Sequence, residues 1–166
     1  ASTTAVLSSS DTSRDQVWTV EVTPNDGTVD GPSASDSITI QNSIPVISNV
    51  AISPDPATAS DTLVCSWTFS DVDGDADASE LEWTINGSHA GSAATLVGAF
   101  VTDDVVECSV VASDGTEFGN TDSATVTIEN SPPVLDEVTL TPDPAYIEDT
   151  LSCTPGVTTD ADGTMS

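Results

Sequence analysis

The sequence predicts an all-β protein made of tandem β-sandwich repeats. Residues 37–65 and 125–153 agree at 15 of 29 positions without a gap, at an offset of 88 residues. Apolar and polar residues alternate along most of the chain between them, as in strands that bury one face. No stretch of ten or more residues places apolar side chains at helical spacing. A fixed repeat period of this length indicates an array of similar units.

Two proline-containing segments mark the predicted boundaries between units. Asn42-Ser43-Ile44-Pro45 and Asn130-Ser131-Pro132-Pro133 lie at matching positions, and proline there removes a backbone donor and favours an extended chain. We therefore divide the chain into residues 1–43, the C-terminal part of one domain, residues 44–131, a complete domain, and residues 132–166, the N-terminal part of a third domain.

The complete unit contains five predicted strands. The first runs from Val46 to Ile52 and ends at Ser53-Pro54-Asp55-Pro56, whose residue types favour turns. Asp114-Gly115 is typical of a tight hairpin and precedes the last strand. The other four strands are defined by alternating apolar residues that share an inward face, namely Leu63, Cys65, Trp67 and Phe69, then Leu81, Trp83 and Ile85, then Val106, Cys108, Val110 and Ala112, and finally Ala124, Val126 and Ile128.

The three cysteines follow the repeat. Cys65 and Cys153 occupy the same repeat position, and Cys108 lies where Val20 stands one repeat earlier. This pattern favours a Cys65–Cys108 disulfide inside the complete unit, with the partner of Cys153 beyond the end of the chain. A disulfide implies an oxidising, extracellular or cell-surface location. The alternative is that the cysteines are buried free thiols that behave as small hydrophobic residues.

The order Cys65, Trp83, Cys108 on three successive inward faces resembles the immunoglobulin sandwich, in which a tryptophan packs on an inter-sheet disulfide. The repeat as a whole resembles the immunoglobulin-like and cadherin-like modules of long secreted bacterial and archaeal surface proteins. The residues that carry the resemblance are the Asn-x-x-Pro boundaries, Pro-Asp-Pro-Ala at 54–57, Asp61-Thr62-Leu63, DVDGD at 71–75 and Asp-Gly-Thr at 114–116. The resemblance covers nearly the whole chain and implies tandem immunoglobulin-like sandwiches, the first and last of them partial.

Acidic residues dominate the charge. The chain has 28 Asp and Glu residues against one basic residue, Arg14, and a net charge of −27. Such a surface repels phosphate backbones and anionic lipid headgroups, so we expect neither nucleic acid nor a membrane surface as a partner. No run of 18 apolar residues is present that would insert into a bilayer. Cations are the partners that this charge favours.

Alternating aspartates form the strongest candidate metal site. Asp71, Asp73, Asp75 and Asp77 surround a glycine, and Asp160 and Asp162 recur one repeat later, shifted by one residue. A loop of this kind can direct several carboxylate oxygens at one Ca²⁺ ion. The alternative is a solvated acidic loop that serves solubility or salt tolerance.

The resemblance implies that this calcium site lies at a joint between two domains. In an immunoglobulin-like sandwich the loops after strands B and F share one end, which implies that Asp114 joins the aspartates of residues 71–77. It further implies that Asp15 and Asn42 of the preceding domain face them. The corresponding residues at the next joint are Asp103, Asp104, Asn130, Asp160 and Asp162.

Other motifs are weaker. Asn86-Gly87-Ser88 is a sequon for N-glycosylation. His89 is the only histidine, which argues against zinc, and no serine lies in a nucleophile elbow. We therefore expect no catalytic residue and no enzymatic activity.

The expected function is structural. The chain is interpreted as a segment of a long extracellular fibre, stalk or surface adhesin, whose partners are neighbouring repeats or copies of the same protein. The alternative is an adhesion module that binds a glycan or a cell-surface protein through loops such as 71–79 or 86–92. Exposed aromatic residues clustered on one face would favour the alternative.

Overall fold

The computed structural model describes residues 5–98 and 100–163, and these residues form an all-β fold. Within them the helical structure is a single 3₁₀ turn, Ser9–Asp11, and no helical stretch has the length and apolar character that a membrane crossing would require. The strands are β1 (Val17–Val22), β2 (Ala34–Thr39), β3 (Val46–Ser53), β4 (Ala57–Thr58), β5 (Leu63–Ser70), β6 (Glu80–Ile85), β7 (Ser88–Gly91), β8 (Thr95–Leu96), β9 (Val105–Ser113), β10 (Phe118–Glu129), β11 (Val134–Leu135), β12 (Val138–Thr141), β13 (Ser152–Pro155) and β14 (Thr158–Thr159).

The strands of the described residues form five sheets. The largest has the order β4-β10-β9-β6-β7, and a three-stranded sheet has the order β3-β5-β8. Three two-stranded sheets pair β1 with β2, β11 with β14, and β12 with β13. Several sheets of this kind are consistent with a β-sandwich.

Contacts divide the described chain into two units. The first contains the described residues up to Val46 together with Phe69–Ser79 and Ala112–Asn120. The second contains Ile47–Thr68, Glu80–Val111 and the described residues from Thr121 onward.

The core of the second unit surrounds a disulfide. Cys65 on β5 is bonded to Cys108 on β9, with a Cα–Cα distance of 6.3 Å, so the predicted pairing is confirmed. Trp83 is fully buried, and its indole N–H donates to the Ala93 carbonyl at 2.8 Å. Closing a loop of 43 residues contributes about 4 kcal/mol on the chain-entropy model. The other fully buried side chains of this unit include Ile47, Leu63, Val106, Val110 and Ile128.

The five predicted strands of residues 44–131 are present as β3, β5, β6, β9 and β10, and β10 begins earlier than expected, at Phe118. Three short strands were not predicted. β4 pairs parallel to the end of β10, with Ala57 opposite Ile128. β7 contains small and polar residues, and β8 has two residues, so neither shows the alternation by which a strand is recognised.

Local geometry recurs at the repeat offset. Asp15 N–H donates to the Ile40 carbonyl and Asp103 N–H donates to the Ile128 carbonyl, both at 2.9 Å. Asp15 and Asp103 also share the left-handed backbone conformation, with φ of 66° and 70°. The turn after the first strand recurs in the same way. The bond from Thr58 N–H to Asp61 Oδ2 at 2.7 Å corresponds to that from Tyr146 N–H to Asp149 Oδ2 at 2.6 Å.

Candidate functional site

The only basic residue of the chain lies in the first unit against the predicted acidic loop. The Arg14 guanidinium makes two hydrogen bonds to Asp75, Nη1 to Oδ2 and Nη2 to Oδ1, the latter at 3.0 Å. Nη1 also donates to Asn42 Oδ1 at 2.6 Å. The hydrogen bond to Asp75 raises the pKa of Arg14, so the group stays charged. A bidentate arginine–carboxylate pair fixes geometry as well as charge.

Asn42 extends this network to a second loop. Its Nδ2 donates to Asp114 Oδ2 at 2.7 Å and to Glu117 Oε2 at 3.1 Å. Because the amide accepts from Arg14 and donates to carboxylates, it lies between groups of opposite charge. Hydrogen bonds from the Asn42 side chain and from the Glu117 and Thr116 backbone amides hold the pKa of Asp114 below its ordinary value.

The acidic loop is ordered by its own carboxylates. Asp71 Oδ1 accepts from the backbone N–H groups of Asp73 and Asp75, at 2.8 and 3.2 Å. Asp73 Oδ2 accepts from Ser43 N–H at 2.6 Å. Gly74 has a φ of +81°, a conformation that glycine adopts without steric cost. The other oxygen of Asp71, Oδ2, is buried and has no hydrogen-bond partner.

Three of the predicted metal ligands meet here. Asp71, Asp75 and Asp114 are half-buried, and one carboxylate oxygen of each lies within 4.8 Å of the others. Hard oxygens at this spacing could hold a cation, although Asp75 also binds Arg14. We define Asp71, Asp75, Asp114, Arg14 and Asn42 as the acidic cluster.

The other predicted ligands of the first loop have different roles. Asp73 binds the Ser43 backbone, and Asp77 Oδ1 accepts from Ser79 N–H at 2.9 Å. The Asp15 side chain is 89% exposed, with its carboxylate 3.8 Å from Arg14 Nε. The structure therefore brings Asn42 into the cluster, as expected, but leaves Asp15 at its edge.

The second predicted loop has a similar frame in the second unit. Asp162 N–H donates to Asp160 Oδ1 at 2.8 Å, and Asp162 Oδ2 accepts from the Ser131 N–H and hydroxyl at 2.6 and 2.9 Å. Asp162 Oδ1 is buried without a hydrogen-bond partner. Among the described residues no third carboxylate completes a group with Asp160 and Asp162.

Asp104 is not part of the acidic cluster and instead forms hydrogen bonds with Asn86 and Val101. Its buried carboxylate accepts from Asn86 Nδ2 at 2.7 Å and from Val101 N–H at 2.9 Å, while Asn86 Oδ1 accepts from Val105 N–H at 3.0 Å. Asn86 and Gly87 have φ of 50° and 77° and connect β6 to β7, as Asn-Gly does in two-residue hairpins. The predicted glycosylation residue thus has a structural role in its turn.

Arg14 is the functional residue that sequence reasoning missed. It is separated from Asp75 by 61 residues, so no local pattern connects them. The sequence did contain one signal, namely that Arg14 is the single Lys or Arg residue in a chain of net charge −27. A lone cation in such a chain is strongly attracted to clustered carboxylates.

Comparisons of this chain with protein-family models, with curated proteins and with solved structures found no match.

Proposed function

We propose that this chain is a structural segment of a long extracellular fibre, stalk or surface adhesin. In this proposal the chain consists of tandem immunoglobulin-like domains, with boundaries near residues 44 and 132. The observation that carries the proposal is the recurrence of local geometry at the repeat offset of 88 residues. The Asp15 and Asp103 turns and the Thr58 and Tyr146 turns have equivalent hydrogen bonds, as copies of one domain would.

The acidic cluster supports a mechanical role. Within the cluster, Asn42 of the proposed linker donates to Asp114, and in the adjoining loop Asp73 accepts from the backbone N–H of Ser43, the next linker residue. Ser131 is tied to Asp162 in the same way at the next proposed linker. A linker held by side chains of a loop bends less than a free one, which suits a stalk.

The hydrogen bonds made within these loops favour a structural role over adhesion through loops 71–79 or 86–92. Asp71 Oδ1, Asp73 Oδ2 and the Asp75 carboxylate accept hydrogen bonds from groups of their own chain, and residues 86–87 form a tight hairpin. The disulfide fits an oxidising extracellular setting. The proposed role needs no catalytic centre.

Calcium is the proposed cofactor of the acidic cluster. The three carboxylates of Asp71, Asp75 and Asp114 exceed the single positive charge of Arg14, and Asp71 Oδ2 has no partner. A divalent cation would balance the remaining charge and bind oxygens from both loops.

The fibre proposal is tested by solution scattering. Chains carrying one, two, three and four copies of residues 44–131 between the present flanking segments are compared at equal ionic strength. A rigid array predicts that the maximum dimension rises by a constant increment per copy. Growth with about the square root of the number of copies, as in a flexible chain, contradicts the proposal.

A further inference from the structure

The disulfide of the second unit divides the chain path through residues 44–131 into three segments. Residues 44–64 lead to Cys65, residues 109–131 lead away from Cys108, and the two cysteines are separated by 43 residues. Because a stretching force follows covalent bonds, it crosses from Cys65 to Cys108 through the disulfide and bypasses the segment between them. The bypassed segment is about half of the proposed domain.

The two outer segments are held in the second unit by non-covalent contacts. β3 lies at the edge of the three-stranded sheet. β4 pairs with the end of β10 through two residue pairs, Ala57 with Ile128 and Thr58 with Glu129. Each hydrogen bond of such a pairing contributes little net free energy, whereas the disulfide is covalent. A stretching force therefore detaches the outer segments while the loop closed by the disulfide stays closed.

The disulfide itself is inaccessible in the folded unit. Cys65 and Cys108 are 4% and 0% exposed, and the buried Trp83 lies opposite Cys108 on the neighbouring strand. Reduction requires that a thiolate reach one of the sulfur atoms, and the packed core prevents this approach. The core residues Ile47 and Ile128 are also buried and belong to the outer segments, so detachment of these segments opens the core to solvent.

We propose that the Cys65–Cys108 bond limits the extension of residues 44–131, so that a load lengthens only the two outer segments. The inference rests on the proposed fibre function, because only a chain that bears load needs such a limit. The repeat that ends at residue 43 has Val20 at the position of Cys108 and therefore cannot form this bond. In the proposed array, a load extends the two repeats to different limits.

The load that extends the outer segments also exposes the bond to an external dithiol. One thiolate of the dithiol attacks a sulfur of the disulfide and displaces the other cysteine as a thiolate, which takes up a proton. The second thiol of the reductant then attacks the mixed disulfide and releases the remaining cysteine. The products are two cysteine thiols and an oxidised, cyclic reductant, and the bypassed segment becomes free to extend.

The length released by reduction is set by the chain alone. An extended residue spans at most about 3.3–3.6 Å, so replacing the 6.3 Å Cα–Cα separation by 43 extended residues lengthens the path by about 140 Å. This increment does not depend on how far the flanking segments extend.

Optical tweezers that hold the whole chain by its two ends measure this increment. Both compared chains carry Cys153→Ser, so that no free thiol competes for the disulfide. When the oxidised chain is held extended, we expect dithiothreitol to add one step of about 140 Å. The chain that also carries Cys108→Val, the residue type found at Val20, should show no such step and should reach the longer length without reductant.

Reduction without load tests the exposure of the bond and does not depend on the folding of Cys108→Val. The folded, oxidised chain is treated with the same concentration of dithiothreitol, and the released thiols are alkylated and counted by mass spectrometry. We expect reduction to be roughly tenfold slower than in the extended chain, because access to the sulfur atoms controls the rate.

Extension of the oxidised chain to the full length without reductant, or the absence of a step when dithiothreitol is added, overturns the extension limit. Equal rates of reduction with and without load overturn the exposure of the bond by force. Either failure leaves the fibre function intact if scattering shows constant growth per repeat, because scattering measures the array without load. The failure of this inference and the failure of the proposed function are therefore distinguishable.

Discussion

The acidic loops at residues 71–75 and 160–163 share a hydrogen-bond frame but differ in how their charge is balanced. In both, an aspartate oxygen accepts from the backbone N–H two residues later at 2.8 Å, and that second aspartate accepts from a serine N–H at 2.6 Å. The glycine that follows has a φ of +81° in one loop and +73° in the other. The frame therefore depends on the Asp-x-Asp-Gly sequence and on the serine of the linker.

The difference lies in one ion pair. Arg14 binds Asp75 at the first loop, whereas the sequence places Thr102 and Thr164 at the corresponding positions of the second, Thr164 lying outside the described residues. The second loop lacks both the positive and the negative charge, so the two positions together carry a net charge of zero in each loop. The joint absence of both charges is expected, because removing only one partner of a half-buried ion pair would leave the other charge without a counter-charge.

The largest predicted effect concerns the linker that supplies the serine of the first loop. A Cβ at Gly119 would collide with the Pro45 carbonyl and lie 2.9 Å from its carbon. We expect Gly119→Ala to cost about 1–3 kcal/mol of unfolding free energy and to weaken the bond from Ser43 to Asp73. Denaturant unfolding and hydrogen exchange at the Ser43 amide measure both effects.

The control is Gly31→Ala at the corresponding repeat position. There the new Cβ would lie 3.0 Å from a side-chain atom of Pro24 rather than collide with backbone. An equal loss in the two variants would contradict the assigned contact.

Removing the positive charge of Arg14 from the first loop has the next largest effect. We expect Arg14→Gln to lower the melting temperature, because Asp71, Asp75 and Asp114 then repel one another without a counter-charge. The loss should shrink as sodium chloride is raised from 0.1 to 1 M, since salt screens the repulsion. Thr102→Gln is the matched control, and an equal, salt-independent loss in both variants would rule out the electrostatic explanation.

Calcium should distinguish the loops further. We expect it to raise the melting temperature more than sodium does at matched ionic strength, because binding to the folded state stabilises it. Arg14→Gln should bind calcium more tightly, since Asp75 is no longer shared. Asp75→Asn should remove the effect, whereas Asp162→Asn in the second loop should leave it unchanged. No gain over sodium would mean that the cluster is a solvated acidic surface.

The smallest effect is the pH dependence of Asp114. Its pKa is lower in the folded state than in the unfolded state, so its stabilising contribution is complete above the unfolded pKa of about 3.9. That contribution disappears as the pH falls through the folded pKa. The difference in melting temperature between the native chain and Asp114→Asn should therefore be constant from pH 7 to 5 and decrease below pH 4.

Asp55→Asn, at an exposed turn, controls for the general loss of negative charge on acidification. A difference between the native chain and Asp114→Asn that grows as the pH falls below 4 would contradict the sign of the shift.

Much of the fold follows from two sequence signals. Alternation of apolar residues located β5, β6 and β9, because it reports directly on which side chains face inward. The repeat positions of the cysteines, together with their place on inward faces, indicated the Cys65–Cys108 pair. β4 was not predicted because its two residues are held by pairing with β10, a partner that local sequence does not identify. The Asn86 sequon was expected on the turn after the strand of Leu81, Trp83 and Ile85, but the preference of Asn-Gly for a two-residue hairpin was not used to predict β7.

The site was predicted less completely. Asp71, Asp75 and Asp114 were named together because the resemblance implied that their loops share an end, and the structure brings their oxygens within 4.8 Å. The roles of Asp73 and Arg14 depend on contacts with Ser43 and Asp75 across 30 and 61 residues. Such contacts follow from how the loops meet, which residue spacing along the chain does not reveal.

The most direct test of this account is a double-mutant cycle on Arg14 and Asp75, measured as unfolding free energies without calcium. Changing both residues to threonine reproduces the composition of the second loop. We predict that the double variant loses clearly less stability than the sum of Arg14→Thr and Asp75→Thr, because neither charge is left alone. Losses that simply add would contradict the claim that the two charges act as one pair.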